Sequence, residues 1–267
     1  MNNLNVFGLK VTDFNIPELK SYLVETIKEQ KKIIIFGYGL GLISQFKKHP
    51  EIYLYGNTFD IMLTDGRLYF LFLKLLGYRL QSDLSIPQLI RMILKIADNN
   101  SFSIMLIGAK KEVNLRANEN LKKEFTNLIV HPGLDGYFDD TDENNVINHI
   151  KKYQPNILLV GMTSPKKEIF VATNRESLNV NIIIPCGGMI DVLSGRIKQT
   201  PTLLKKIGLA TIYRVVQEPK RLFLKNVWET YEIIFKIIPI SLYYRYIKKD
   251  NKFFLPSIYN IPEHNDL

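Results

Sequence analysis

Cysteine is almost missing from this chain of 267 residues: Cys186 is the only one. A single thiol excludes an internal disulfide framework and fits a reducing compartment. It ends an apolar run, so a packed thiol is expected rather than a nucleophile. Histidine is scarce too. His49, His131, His149 and His264 are too scattered for metal-ligand spacing, and no metal site is expected. The N-terminus, MNNLNVFGLKVTDF, lacks a basic stretch ahead of an apolar core, so no signal peptide is expected. No apolar run reaches the ~20 residues of a membrane span. A soluble or peripheral cytoplasmic protein is expected. No recognised nucleic-acid module is present, so nucleic acid is not expected as a partner.

What is present is an alternation of short β-branched runs and amphipathic stretches. Residues 33–36, 103–107, 157–160 and 182–184 are apolar runs followed by glycine or proline, the pattern of buried strands in a parallel sheet. Residues 17–30 carry Leu19, Leu23 and Ile27 at four-residue spacing, which predicts a helix. Further helices are expected over 68–78, 87–97, 143–153 and 166–178. A further strand–helix unit is expected to start near Leu128. The pattern predicts an α/β fold with a doubly wound, mostly parallel, Rossmann-like sheet. From Pro201 onward only helices are expected, with a break near Pro239. Residues 1–195 read as an α/β core, 196–250 as a basic amphipathic appendage and 251–267 as a flexible tail.

The net charge of +9 is unevenly spread. Residues 1–195 carry 22 basic and 20 acidic side chains, whereas residues 196–252 carry 13 basic and four acidic. The appendage is therefore the part that should meet an anionic partner. Its aromatic side chains interleaved with lysine and arginine suit an anionic membrane surface. Packing on its own core or on a second copy explains the apolar face equally well, so self-association stays open.

Chemistry is expected where glycines follow strands, because open α/β sheets bind ligands beyond the carboxyl ends of their strands. Gly37 and Gly39 follow the first core strand, Gly161 another, and Gly187-Gly188 the last. Ser164-Pro165 reads as a helix start able to receive an anion. The strand–glycine–helix at Gly37, Gly39 and Gly41 also resembles a dinucleotide turn, with Asp60 at the distance of a ribose ligand and the third glycine one position early. Asp65, before Gly66 at a strand end, can project into the crevice as a base or form an ordinary Asp-Gly turn. Asp140-Thr141-Asp142 reads as a helix start in preference to a metal motif.

The separated motifs combine in order. Gly161-x-x-x-Pro165-Lys166-x-Glu168, then Gly187-Gly188-x-x-Asp191-x-x-x-Gly195-Arg196, Pro201, and Tyr213-Arg214-x-x-x-Glu218-Pro219-x-Arg221, preceded by Asp65-Gly66, resemble the WecG/TagA/CpsF family. The resemblance spans roughly residues 10–245. It implies an inverting glycosyltransferase of bacterial surface polymers, such as capsule or teichoic-acid linkage. The donor would be a UDP-hexose or UDP-N-acetylhexosamine, such as one of N-acetylmannosamine, and the acceptor a polyprenyl-diphosphate-linked sugar. No metal or cofactor is implied, and the protein would sit on the inner face of the cytoplasmic membrane.

By the same resemblance, Asp65 would be the catalytic base. Gly37, Gly39, Gly136, Tyr137, Gly161, Pro165, Lys166, Lys167, Glu168, Gly187, Gly188 and Asp191 would form the donor site. Arg79, Arg214 and Arg221 would face diphosphate, which the guanidinium fork pairs bidentately. Three positions depart from the family. Gly37 and Gly39 stand where it usually carries Thr-x-Asn, and Lys167 where it usually carries glutamine. They motivate a second reading, a non-catalytic relative that binds a nucleotide sugar. A third is a dinucleotide-dependent oxidoreductase using the 37–41 turn.

Overall fold

The computed structural model describes residues 1–262 except Asp140, Thr202, Lys205, Lys206 and Asn251, and leaves the side chains of Arg221 and Lys225 undescribed. In chain order come β1 (Asn2–Val6), β2 (Leu9–Asp13), α1 (Ile16–Lys28), β3 (Ile33–Tyr38), α2 (Leu40–Ile43), α3 (Glu51–Gly56), β4 (Ile61–Thr64) and α4 (Arg67–Leu75). Then follow α5 (Ile86–Asn99), β5 (Ser103–Gly108), α6 (Lys111–Glu124), β6 (Ile129–Val130), α7 (Glu143–Tyr153), β7 (Ile157–Gly161), α8 (Lys166–Thr173), β8 (Ile182–Pro185) and α9 (Met189–Leu193).

The main sheet has the order β4-β3-β8-β7-β5-β6, and every pairing is parallel. Its strands read as runs of isoleucine, leucine and valine because both faces are covered. Side chains alternate between two cores with the two-residue period of a strand. Phe36, Met105, Leu158, Val160 and Ile183 join Tyr53, Tyr69, Ile147 and Phe170 on one face. Ile35, Leu106, Leu159 and Ile184 join Leu23, Ile93, Leu121 and Ile190 on the other. Truncating a residue such as Leu159 to alanine is expected to cost about 2–5 kcal/mol.

Several local expectations differ from the structure. α8 ends at Thr173 rather than near Leu178, because the Asn174 amide donates to the carbonyl of Phe170 and to Glu143, and competes with the helix. The first residues form an antiparallel hairpin that was not expected. Phe7 (φ 51°) and Gly8 (φ 84°) make its two-residue turn, in the left-handed region that such turns need. The tail, expected to be flexible, is packed over its described part. Leu255, Pro256, Tyr259 and Ile261 are buried, and the Leu255 N–H donates to the Phe7 carbonyl at 2.9 Å. Its Phe253 ring stacks on Tyr244 at 3.6 Å. Apolar side chains ordered this segment where spacing gave no helix or strand.

Beyond α9 come α10 (Ala210–Gln217) and α11 (Pro219–Glu232), then a π-helical turn Ile233–Ile237, a helical turn Ile238–Leu242 and a second π-helical turn Tyr243–Lys248. The break expected near Pro239 does not occur, and helical turns continue through it. Wide turns on either side accommodate the missing N–H donor. Among the described residues, no helix is long and apolar enough to cross a membrane.

Candidate active site

A cleft of about 430 Å³ opens beyond the carboxyl ends of β4, β3 and β8. This is where a parallel sheet gathers the turns that follow its strands. The N-terminus of α5 forms one wall, and α10 and α11 close over another, contributing Arg214, Gln217 and Glu229.

Asp65 stands at the end of β4, partly buried, with its N–H bonded to the Tyr38 carbonyl. Gly66 follows with φ 103°, a conformation that suits glycine and turns the chain directly into α4. The Asp65 Oδ1 atom accepts a hydrogen bond of 3.0 Å from the Ile86 N–H, in the first turn of α5. Burial raises the carboxyl above its ordinary value. The Ile86 N–H and the charges of Lys167 and Arg214 act against that rise, while Asp83 adds to it. A carboxylate with a raised pKa, in a cleft, has the properties of a general base.

Gly37 and Gly39 line the cleft beside Asp65. At Gly39 an added Cβ would lie 2.4 Å from the Asp65 carbonyl oxygen, and at Gly37 it would lie 2.9 Å from the Asp65 Cβ. The β3 and β4 ends thus approach more closely than larger side chains allow.

Lys167 enters from α8. Its ammonium bonds to Ser164 Oγ and Glu168 Oε1 and lies 5.5 Å from the centre of the Phe36 ring. Glu168 is fully buried, and its Oε2 has no hydrogen-bond partner among the described residues. Lys167 therefore has two roles: it neutralises a buried carboxylate and presents positive charge towards Asp65. Cys186 also lines the cleft, where burial pushes its thiol up to about 12, well above the range of a reactive thiolate.

The appendage completes the enclosure. The Gln45 amide donates to Glu229 of α11 and to the Gly41 carbonyl, both at 3.0 Å. Gln217 holds the neighbouring loop by accepting from the Lys198 N–H at 2.8 Å and donating to its carbonyl at 3.1 Å. The Arg214 guanidinium lies against Gly188, where a Cβ would come within 2.3 Å of Nη2. Arg214 also faces Glu218 at 4.0 Å.

Of the residues expected in the site, the cleft brings together Gly37, Gly39, Asp65, Lys167, Gly187 and Arg214. Glu168 lies beneath, and Asp191 holds Arg196 at 2.7 Å. Gly136, Gly161, Pro165 and Lys166 lie beside the cleft rather than lining it, around the ends of β5 and β7, and a Cβ on Gly161 would stand 3.0 Å from the carbonyl oxygen of the cleft residue Gly187. Lys166 donates to the Phe138 carbonyl there, and Gly161 packs against Gly108 and Ile190. Tyr137 is exposed. Arg79 is exposed beyond the far end of α4 and does not line this cleft. The Arg221 side chain lies outside the described residues.

Asp60 precedes β4, at the amino end of the sheet. It accepts from the Ile34 N–H at 2.7 Å and pairs with Arg175 at 2.8 Å. A ribose ligand must stand at the carboxyl end, so the dinucleotide reading fails on this geometry. The Asp-Thr-Asp stretch precedes α7, with Asp142 at the cap position; Asp140 lies outside the described residues. Sequence reasoning missed Gln45, Ile86, Gln217 and Glu229. Only Ile86 carried a signal, the start of a helix at Ser85-Ile86-Pro87.

The family model described as glycosyl transferase, WecG/TagA/CpsF family, matches residues 4–245. The chain is similar to a protein of Bacillus spizizenii named N-acetylglucosaminyldiphosphoundecaprenol N-acetyl-beta-D-mannosaminyltransferase. They are 27% identical over 216 residues, which is 80% of this chain and 82% of that protein. A Staphylococcus aureus protein of the same name is 32% identical over 130 residues, 48% of this chain and 50% of that one.

Proposed function

This chain belongs to the WecG/TagA/CpsF family of glycosyltransferases, and on that premise we propose that it moves an N-acetylhexosamine or a hexose from a UDP-sugar to a polyprenyl-diphosphate-linked sugar, with inversion. The observation that carries this reading is Asp65. Its carboxylate reaches the cleft between a helix N-terminus and the cations Lys167 and Arg214. The names of the similar B. spizizenii and S. aureus proteins support a lipid-linked N-acetylglucosamine acceptor and an N-acetylmannosamine donor.

In this mechanism the acceptor hydroxyl oxygen attacks the anomeric carbon as its proton passes to Asp65. The bond from that carbon to the diphosphate oxygen breaks, and its electron pair leaves with UDP. Arg214, and Arg221 at its motif position, would stabilise the charge developing on the diphosphate. No metal is assigned to that task. The appendage would rest on anionic lipid at the inner face of the cytoplasmic membrane, with exposed Phe223, Leu224 and Phe235 beside its basic side chains.

The test is UDP release from a panel of UDP-sugars, with a short-chain polyprenyl-diphosphate N-acetylglucosamine acceptor, for wild type and Asp65→Asn. Acceptor-dependent release that is lost in the variant is the expected result. Release that survives in the variant removes Asp65 as the base. Gly37 and Gly39 favour a second reading, a relative that binds the nucleotide sugar without transfer. Tight UDP-sugar binding with no release from any pair would support it.

A further inference from the structure

Helix α4 is strongly apolar, and its charged side chains are Arg67 at its start and Lys74 near its end. Tyr69, Phe70, Phe72 and Leu73 are buried, yet Leu68, Leu71 and Leu75 stand 55%, 43% and 57% exposed. Their spacing of three and four residues puts these leucines in one outward stripe. With its other face buried in the core, the helix therefore presents an uncovered apolar stripe to the outside, the kind of surface that marks a contact site.

The stripe is not isolated. Outside α4 and residues 203–247, the exposed large apolar side chains among the described residues are only Leu115, Ile129 and Tyr137. The appendage meets α4 at both ends. Gly208 lies against Leu68, and Tyr246 donates its hydroxyl to the Leu75 carbonyl. Arg245 reaches over the Tyr78 ring, 5.1 Å from its centre. The leucines of the core helix and the apolar side chains of the appendage therefore form one continuous surface.

Charge selects the occupant. α4 has no acidic residue, and Lys74 lies 4.8 Å from the centre of the Phe70 ring. The adjoining residues 196–252 carry 13 basic and four acidic side chains. A second copy docked through this face by a two-fold axis would set one basic surface against the other. An anionic leaflet supplies both hydrocarbon for the leucines and counter-charge for the rim.

We infer that the outer stripe of α4, Leu68, Leu71 and Leu75, inserts into the acyl region of an anionic leaflet as part of the core's own membrane face. The inference rests on the lipid-linked acceptor proposed above and deepens it. α4 starts two residues after Asp65, and its nine residues span about 13 Å. A helix lying on the leaflet would thus hold the base beside the lipid surface, where the acceptor's diphosphate head already resides. The acceptor could then reach the base without leaving the membrane.

The experiment compares wild type, Leu71→Glu/Leu75→Glu and the appendage variant Leu224→Glu by flotation with phosphatidylglycerol/phosphatidylcholine vesicles. Size-exclusion light scattering and turnover of a water-soluble short-chain acceptor accompany each. The expected result is vesicle binding weakened about tenfold or more in the α4 variant, with soluble-acceptor turnover retained. In a Trp228→Phe background, Leu71→Trp should be quenched by brominated acyl chains. Wild-type affinity in the α4 variant, with binding lost in Leu224→Glu, would overturn the α4 inference and leave the appendage reading standing. Absence of wild-type binding to any vesicle would overturn both membrane readings while turnover reports separately on the transferase. A dimer that the α4 variant dissociates, with lipid binding unchanged, would assign the stripe to self-association instead.

Discussion

The Ile86 N–H points at Asp65 Oδ1 from 3.0 Å, so the first turn of one helix faces the carboxylate at the end of a neighbouring strand. An N-terminal helix dipole favours the charged carboxylate, whereas burial opposes it. Burial wins, and the carboxyl stays above its ordinary value of 3.8.

Asp65→Asn should therefore separate activity from stability. Transfer should fall about 10²–10⁴-fold, the usual contribution of a positioned base. The folded state binds the Asp65 proton more tightly than the unfolded state does. Its contribution is fully present below the ordinary carboxylate range and is lost as pH rises through the raised folded value. At neutral pH the charged Asp65 is a cost, so the asparagine variant should melt higher than wild type. The difference should vanish as pH falls to the ordinary carboxylate range. Thermal melts from acidic to neutral pH check the sign; a variant that melts lower at neutral pH contradicts it.

Lys167 offers two contrasting substitutions. Lys167→Gln keeps a donor for Glu168 and Ser164 but removes the positive charge acting on Asp65. The acidic limb of the kcat/KM profile should move to higher pH. Lys167→Met leaves the fully buried Glu168 without its cation. A loss of about 3–5 kcal/mol in urea denaturation is expected.

Restoring asparagine at position 39 should harm rather than help. The new Cβ would sit 2.4 Å from the Asp65 carbonyl oxygen, a backbone atom with little room to yield. Gly39→Asn should lose about 1–3 kcal/mol and should not gain turnover. Melting temperature and UDP release measured together decide the point.

Truncation after Asp250 should loosen the appendage. It removes the bond from Leu255 to Phe7, the stack of Phe253 on Tyr244 and the Tyr259 hydroxyl donating to Glu232. Each large apolar side chain lost from the interior is worth about 1.5–3 kcal/mol. A lower melting temperature and faster protease cleavage within residues 196–250 are expected. Unchanged cleavage would show that the appendage holds without the tail.

Much of the scaffold was legible because burial on both sheet faces leaves a simple signature. The apolar runs at 33–36, 157–160 and 182–184 are strands, and 143–153 is a helix, as their patterns predict. The hairpin of β1 and β2 carried a readable signal, Gly8 flanked by alternating Val6, Leu9 and Val11, but one too short to separate from a loop. The tail had no periodicity at all, and only its apolar composition hinted that it is packed.

For the site, the division follows the range of the forces. Sequence alone determined which strands are buried, that Asp65 and the glycines close strand ends, and that the basic excess lies beyond residue 195. These are local matters of side-chain pattern and turn chemistry. Tertiary structure decided which strand ends are neighbours, and so which candidates share a cleft. It joined Gln45 to Glu229 across 184 positions, turned Lys166 away while Lys167 faced in, and set Asp60 at the opposite end of the sheet from Asp65. Such contacts depend on strand order and helix docking, which arise from burying the whole surface at once and leave no mark on the spacing of any one segment.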